Sequence, residues 1–174
     1  MLKTEIVAIN PVTPDQAALA RAAEILRRGG LVAFPTETVY GLGAVIYNKA
    51  SVNNIFTVKG RPGDNPLIVH IYQREQLAEI ALVVPEQALV LAQRFWPGPL
   101  TLILPKKEKI PAEVSAGLPT VAIRLPSHSV AQELLRLTNL PVAAPSANLS
   151  GRPSPTRGSH VIADLDGKID MIID

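Results

Sequence analysis

The chain has 174 residues, of which 47% are hydrophobic and 18% charged, and its net charge is +2. A chain of this length and hydrophobicity buries a core of its own, so intrinsic disorder is excluded. Cysteine is absent, which excludes disulfides, thiol nucleophiles and cysteine-ligated zinc. Proline is frequent, with 16 residues, or roughly twice its usual share. Either the protein is rich in loops, or its loops are stiffened for a purpose.

Charge and hydropathy predict a cytoplasmic protein without a membrane segment. Residues 1–5 lack the basic start and apolar run of a signal peptide, and no apolar stretch is long enough for a span. Four Asp and one Lys fall in the last eleven residues, so the rest of the chain is mildly basic. A mildly basic body suits an anionic ligand or, with less support, RNA. A solvated surface with a small cationic excess explains the charge equally well.

The first half of the chain alternates short apolar strands with helices. The predicted strands are residues 5–9, 31–34 and 67–71. Thr13 is the predicted N-cap of a helix that ends at Gly29, and Ser51 is the predicted N-cap of a helix that ends at Gly60.

The second half repeats this alternation. The predicted helices are residues 74–82, residues 85–95 and one that Ser127 caps. The predicted strands are residues 99–104, 120–125 and 141–144, and residues 172–174 are expected to lie in the middle of a further strand. The pattern predicts an α/β layered domain with a mixed sheet. Several strands end in polar, proline-rich loops, which is where binding residues are expected.

Common catalytic motifs are missing from the sequence. There is no G-x-x-x-x-G-K-S/T phosphate loop, and the pair Gly41 and Gly43 lacks the third glycine of a dinucleotide fingerprint. Ser146 is not in a G-x-S-x-G elbow. The three histidines lack metal-ligand spacing, so no metal site is predicted. Ordinary hydrolase and dehydrogenase templates therefore do not fit.

Cationic and hydroxyl side chains at the ends of predicted elements remain as candidates. Lys59 and Arg61 flank Gly60 and are expected on a solvent-facing cleft, where such a pair grips a polyphosphate. A helix C-terminus also favours positive charge, which explains the pair equally well. Ser146 and Asn148 are expected to share one face of an extended segment, although a polar turn is the simpler interpretation.

Arg124 and His70 lie in predicted apolar strands. Arg124 ends its strand, so it needs an anionic partner, either a ligand carboxylate or an internal acid such as Glu37. His70 alone is more often a structural residue than a ligand. Thr36 and Thr38 follow a buried strand, where hydroxyl groups commonly stabilise a turn.

Five stretches, in order along the chain, resemble the YrdC-like family of threonylcarbamoyl-adenylate synthases. They are PTETVYGLG at 35–43, KGRPGDNPL at 59–67, FWPGPLT at 95–101, VAIRLP at 121–126 and APSANLSG at 144–151. The resemblance implies an open, twisted, mixed sheet with flanking helices around a deep, positively charged cleft. It also implies a nucleotidyltransferase that makes threonylcarbamoyl-AMP and pyrophosphate from L-threonine, bicarbonate and ATP, with Mg²⁺ carried by the nucleotide. The product would serve the threonylcarbamoyladenosine modification of tRNA by other proteins.

The resemblance assigns a role to each candidate residue. Lys59, Arg61, Ser146 and Asn148 match the family's K-x-R and S-x-N signature and are the predicted catalytic residues. The predicted ATP contacts are Lys59, Arg61, Asn65, Thr120, Ser146 and Ser154. The predicted threonine contacts are Thr36, Thr38, His70, Arg124 and Ala144. Such a reaction depends on positioning and electrostatics rather than on a covalent nucleophile.

Residues 1–174 are interpreted as a catalytic domain that is truncated at its C-terminus, since the family continues further and its long members add a second domain. Two other functions stay open, an RNA-binding module with weak tRNA contact and a carbamoyl-adenylate-forming relative that uses carbamoyl phosphate. The scarcity of aromatic residues disfavours the first. The set Arg124, His70 and Thr38 favours an amino-acid substrate over the second.

Overall fold

Eight short strands form one mixed sheet in the computed structural model, which describes residues 2–174. The strands are β1 (Glu5–Val7), β2 (Val32–Phe34), β3 (Gly41–Val45), β4 (Ile68–His70), β5 (Thr101–Pro105), β6 (Thr120–Arg124), β7 (Val142–Ala143) and β8 (Met171–Ile173). Their order across the sheet is β1-β8-β2-β3-β7-β4-β6-β5. β8 runs parallel to β1 and β2, β4 runs parallel to β6, and the other neighbours are antiparallel. The predicted α/β class with an open mixed sheet is confirmed.

Helices cover both faces of the sheet. Within residues 2–174 they are α1 (Gln16–Arg27), α2 (Lys49–Lys59), α3 (Leu77–Ile80), α4 (Glu86–Phe95), α5 (Ala112–Ser115), α6 (Ser129–Thr138) and α7 (Gly158–Leu165). Helices α1 and α6 pack into one apolar cluster and the other five into a second cluster on the opposite face. Across the described residues, no helix has the length and apolar composition needed to cross a membrane.

Three helices begin at N-caps other than the predicted ones. The predicted caps Thr13, Ser51 and Ser127 are wrong. Asp15 caps α1, because its carboxylate accepts hydrogen bonds from the Ala17 and Ala18 N–H groups at 2.9 and 3.1 Å. Asn48 caps α2 and His128 caps α6 through their side chains. Asn and Asp cap as well as Ser and Thr, so the sequence does not distinguish between polar residues a few positions apart.

Strand β3 and the helices α5 and α7 lie where the sequence predicts no element. Glycine is rare in strands, and β3 contains two of them. Gly43 is required there, since a Cβ atom at this position would lie 2.9 Å from Phe34 Cε1. The predicted helix at 74–82 is a 3₁₀ turn (Arg74–Gln76) followed by α3, and Ala81 then pairs with Lys106 in a β-bridge.

The two faces of the sheet are covered unequally. On the face under α1 and α6, Phe34, Val142 and other apolar residues are fully buried. Side chains alternate along strands, so the same face continues through the paired residues Ile68, Ala122 and Ile103 of β4, β6 and β5. Ile103 is 68% exposed, and Ile68 and Ala122 are only partly buried. We call this row of three residues the open sheet face.

Candidate active site

A cavity of about 100 Å³ lies where the ends of β4 and β6 meet the loop after β2. Its lining residues are Thr36, Thr38, Val39, Tyr40, Gly41, Ile68, His70, Arg124, Ala144, Pro145 and Ser146. All five predicted threonine contacts line this cavity, and so does Ser146. The register of β4 against β6 pairs His70 with Arg124, which brings two distant parts of the sequence to the same edge of the sheet.

Arg124 is the cation of this cavity, and it is already paired. Its Nη2 atom lies 2.7 Å from Glu37 Oε1 and donates a hydrogen bond to Thr38 Oγ1 at 3.2 Å. The two side chains of the ion pair are 10% and 18% exposed. Within the described chain, Arg124 Nε and both Glu37 oxygens lack a well-aligned hydrogen bond. Of the two partners considered for Arg124, the internal acid Glu37 is present in the folded chain, and a ligand carboxylate here would share the guanidinium with Glu37.

Glu37 is charged at neutral pH in spite of its burial. Burial raises the pKa of Glu37, but Arg124 and the backbone N–H groups of Glu37 and Ser127 outweigh that effect and hold it below its ordinary value. The pair of Arg124 and Glu37 therefore carries no net charge.

His70 is buried and neutral. It is 3% exposed, and its ring meets the Phe34 ring edge-on with 6.4 Å between centroids. Its Nδ1 atom lies 3.2 Å from the Ile68 carbonyl, which can only accept, so Nδ1 carries the proton and Nε2 is an acceptor. Burial, helped by the charge of Arg124, lowers the pKa of His70 to about 4.

Lys59 is buried, so the prediction of a solvent-facing side chain is wrong. It is 3% exposed. Its Nζ atom donates to the carbonyls of Ser146 and Asn148, the second at 2.5 Å, and lies 3.5 Å from Asn148 Oδ1. Burial and the nearby Arg61 lower the pKa of Lys59 to about 8. The left-handed Gly60, with φ of 59°, ends α2 and turns the chain between the two cations.

Arg61 lies in different surroundings from Lys59. It is partly exposed, donates one hydrogen bond to the Asn65 carbonyl at 3.2 Å, and lies 5.9 Å from the centroid of the Phe56 ring. Its other N–H groups have no acceptor among residues 2–174, so they can reach a ligand. Asn65 itself is exposed in the loop that follows.

Ser146 and Asn148 do not share one extended face as predicted. The chain bends at residues 147–148. Ser146 pairs with Gly41 in a β-bridge and lines the cavity. The Asn148 amide is 6% exposed and donates to the Leu149 and Arg152 carbonyls at 2.9 and 2.8 Å. Ser146 therefore faces the cavity, whereas Asn148 lies behind it.

Thr120 and Ser154, two predicted ATP contacts, lie outside the cavity. Thr120 is on the same face of β6 as Arg124, and the four residue steps of strand between them span about 13 Å. Ser154 lines a separate cavity of about 440 Å³ that includes Arg152, His160 and Asp164. The fold thus places Thr120 along the open sheet face and Ser154 at a different concavity.

The sequence does not predict several of the residues that line the cavity. Tyr40, Gly41, Ile68 and Pro145 line the cavity without being predicted to do so. Strand alternation gives a usable signal for Ile68, since it lies two residues before His70 and so on the same face. The sequence suggests Glu37 only as a partner for Arg124, and its burial beside the site follows from the fold.

The chain is similar in sequence to a known protein family over most of its length. The family model for Sua5, YciO and YrdC, described as telomere recombination, matches residues 24–174. The threonylcarbamoyl-AMP synthase of Pyrococcus abyssi is 58% identical over 153 residues, which are 88% of this chain and 45% of that protein. The enzyme of the same name from Bacillus subtilis is 57% identical over 164 residues, which are 94% of this chain and 47% of that protein. The chain thus spans about half the length of these curated relatives.

Solved structures give the same result. The crystal structure of Pyrococcus abyssi Sua5 complexed with L-threonine matches with a TM-score of 0.96 and 52% sequence identity. The match covers 98% of this chain and 50% of that one. The resemblance seen in the five sequence stretches is therefore confirmed, and the chain belongs to the Sua5/YciO/YrdC family.

Proposed function

We propose that residues 1–174 form a catalytic domain that makes L-threonylcarbamoyl-AMP and pyrophosphate from L-threonine, bicarbonate and ATP. The observation that carries this proposal is the convergence of the five predicted threonine contacts on one small cavity. The names of the two curated relatives and the threonine complex of the Pyrococcus abyssi protein support the same reaction and the same ligand.

In this proposal the small cavity holds L-threonine. Arg124 binds the carboxylate, because a guanidinium forms paired, charge-assisted hydrogen bonds with that group. His70 is neutral, so its Nε2 atom can accept a hydrogen bond from the amine. Thr36 and Thr38 supply hydroxyl groups, and Ala144 keeps the cavity narrow.

The reaction then needs two steps. The amine nitrogen attacks the carbon of CO₂ derived from bicarbonate, and loss of a proton leaves a carbamate. A carbamate oxygen attacks the α-phosphorus of ATP, and pyrophosphate leaves. Both partners are anionic, so Arg61, Lys59, Ser146 and Asn148 act by offsetting repulsion and by positioning rather than by covalent chemistry.

ATP would lie along the open sheet face, with its phosphates toward Arg61 and Ser146. Thr120 and the apolar row formed by the open sheet face support this placement, and Asn65 and Ser154 are the remaining proposed contacts. Among residues 2–174, no three His, Asp or Glu side chains cluster as a metal site. We therefore propose that Mg²⁺ arrives with ATP as part of the substrate.

The product is proposed to pass to other proteins, which transfer the threonylcarbamoyl group to tRNA. We place this reaction in the cytoplasm, where ATP, bicarbonate and tRNA are available together. Any contact of this chain with tRNA would be weak.

The deciding assay supplies the protein with ATP, Mg²⁺, bicarbonate and one amino acid at a time, and measures AMP formation and pyrophosphate release. We expect turnover with L-threonine and with no other amino acid, and unchanged turnover in Lys49→Met, an exposed lysine at the start of α2. Turnover without threonine would contradict the proposal. Pyrophosphate release that requires carbamoyl phosphate would favour the carbamoyl-adenylate alternative, and salt-sensitive RNA binding without turnover would favour an RNA-binding module.

A further inference from the structure

We infer that Lys59 is a positioning residue, which fixes the loop at residues 146–148 beside the cavity and leaves direct contact with the ATP phosphates to Arg61. The effect on turnover rests on the proposed function. The contact between Lys59 and the loop does not, because it belongs to the folded protein without substrate.

The donor groups of Lys59 are fully used within the protein. A protonated lysine has three N–H groups and no acceptor. Three oxygen atoms lie within hydrogen-bond distance of Nζ, namely the carbonyl oxygens of Ser146 and Asn148 and the Asn148 side-chain oxygen. A phosphate could gain a hydrogen bond from Lys59 only by displacing one of these acceptors.

The loop that Lys59 holds is also tied by its backbone. The Ala147 N–H donates to the Tyr40 carbonyl at 2.8 Å, and the Ser150 N–H donates to the Lys59 carbonyl at 2.9 Å. Between these two backbone hydrogen bonds, the loop is held by the hydrogen bonds from Lys59 Nζ. Since it holds the Ser146 carbonyl, it also sets where the Ser146 hydroxyl lies in the cavity.

The charges around Nζ come from two other elements. Arg61 lies beyond Gly60 and disfavours the protonated lysine, whereas Asp164 of α7 favours it. Asp164 is itself engaged, as it accepts hydrogen bonds from the Leu149 N–H and from Arg152. The ammonium of Lys59 is therefore held by neutral oxygens of the loop rather than by a direct ion pair, as expected for a group that organises a backbone segment.

Hydrogen–deuterium exchange of the ligand-free protein tests the contact directly. In Lys59→Met, the Ala147, Leu149 and Ser150 amides should exchange about tenfold faster than in the wild type, because the loop loses its central support. Arg61→Met should leave them within about twofold of the wild type, and so should the matched control Lys49→Met on the same helix. Wild-type exchange at these amides in a folded Lys59→Met, together with loss of ATP binding, would overturn the inference.

A titration of the wild-type protein by NMR covers the case in which Lys59→Met fails to fold. The ¹³C shifts of the Ser146 and Asn148 carbonyls should titrate with a common midpoint near pH 8, because Lys59 loses one of its three N–H donors there. Carbonyl shifts that stay constant while Nζ titrates would overturn the contact.

The pH profile of turnover separates positioning from a purely structural role. As the pH rises, the threonine-dependent kcat should fall with the same midpoint as the carbonyl shifts, while the KM for ATP stays constant. A rise in KM for ATP instead would mean that Lys59 contacts the phosphates, and a flat kcat would mean that the loop contact does not affect the reaction. Absence of any turnover would count against the proposed function, and the exchange and NMR results would still decide the contact.

Discussion

Arg124 and Lys59 each bury a positive charge beside the cavity, and the fold compensates the two charges differently. Arg124 meets a carboxylate, Glu37, at 2.7 Å. Lys59 meets only neutral oxygens, and its pKa falls to about 8. A lysine held by carbonyls rather than by a carboxylate can lose its proton within the working range of pH.

Arg124→Lys separates the effect of charge from the effect of shape in the cavity proposed to hold L-threonine. The variant keeps a positive charge but loses the planar fork that matches a carboxylate, so the Kd for L-threonine should rise roughly tenfold or more. Isothermal titration calorimetry with L-threonine measures this change. Arg94→Lys, at an exposed position of α4, is the matched control and should bind like the wild type. Wild-type affinity in Arg124→Lys would contradict the carboxylate assignment.

His70 makes the protein sensitive to acid. Its pKa of about 4 in the folded state lies below the ordinary 6.5, so the unfolded chain takes up the proton first as the pH falls. The stabilising contribution is complete above pH 6.5 and is lost toward pH 4, by up to about 3 kcal/mol.

Urea unfolding at pH 7 and at pH 4.5 measures that loss, which should be absent in His70→Gln. His160→Gln, at an exposed position of α7, should keep the wild-type difference between the two pH values. If wild type and His70→Gln lose the same stability, the buried neutral histidine is not the cause.

At the scale of elements, helix α4 packs against the core through only two small side chains. Its only buried residues are Ala88 and Ala92, and Ala92 is fully buried. Its large apolar residues, which are Leu89, Val90, Leu91 and Phe95, are 41–57% exposed. Only small residues of α4 join the core, so size rather than hydropathy decides what is tolerated at this contact.

Ala92→Leu should therefore destabilise the protein, although leucine is the more hydrophobic residue. Inserting the larger side chain at a fully buried contact should lower the free energy of unfolding by about 1–3 kcal/mol. The neighbouring Leu91→Gln should change it by less than about 0.5 kcal/mol, because residue 91 faces solvent. Chemical denaturation measures both, and a larger effect at residue 91 than at residue 92 would contradict the packing described here.

The sequence predicts most elements of the fold, since apolar runs end at proline or glycine. β4 and β6 follow from such runs, whereas β3 does not, because its glycines serve close packing, against Ala144 at Gly41 and against Phe34 at Gly43, rather than strand propensity. The predicted N-caps of α1, α2 and α6 are wrong by one to three residues, since any of several neighbouring polar side chains can cap the helix. The local sequence pattern is sufficient to predict that an element exists, but it is not sufficient to predict the residues at which the element begins and ends.

The candidate site depends on information that local sequence lacks. His70 alone suggests a structural residue, and only the pairing of β4 with β6 places it beside Arg124. The resemblance to a family supplies that grouping, but it leaves open which way each side chain faces. The burial of Lys59 follows from the left-handed turn at Gly60 and from the bend at residues 147–148.

At the scale of the whole molecule, helices cover one half of a sheet face and leave the other half open. The small cavity and the open sheet face adjoin along β4 and β6, so one fold offers an enclosed place, proposed above for the amino acid, and an extended one, proposed for the nucleotide. Ile103 belongs to the open part and is not among the residues that line the cavity.

Ile103→Ser should weaken ATP binding and spare threonine binding. Loss of the exposed apolar contact should raise the Kd for ATP roughly three- to tenfold and leave the Kd for L-threonine unchanged. Leu89→Ser, an exposed apolar residue on α4, is the control and should affect neither ligand. Equal loss of both ligands in Ile103→Ser would mean that the variant disturbs the fold rather than the ATP site.

The position of β8 between β1 and β2 has a consequence for synthesis on the ribosome. Strand β8 forms near the end of the described chain, yet it hydrogen-bonds to two strands near its beginning. Until residue 173 has emerged, β1 has no neighbour and the edge of β2 is unpaired, which is the kind of edge on which nascent chains associate. This part of the sheet must therefore form after β8 has been translated, and chaperones that bind exposed strands can act before that moment.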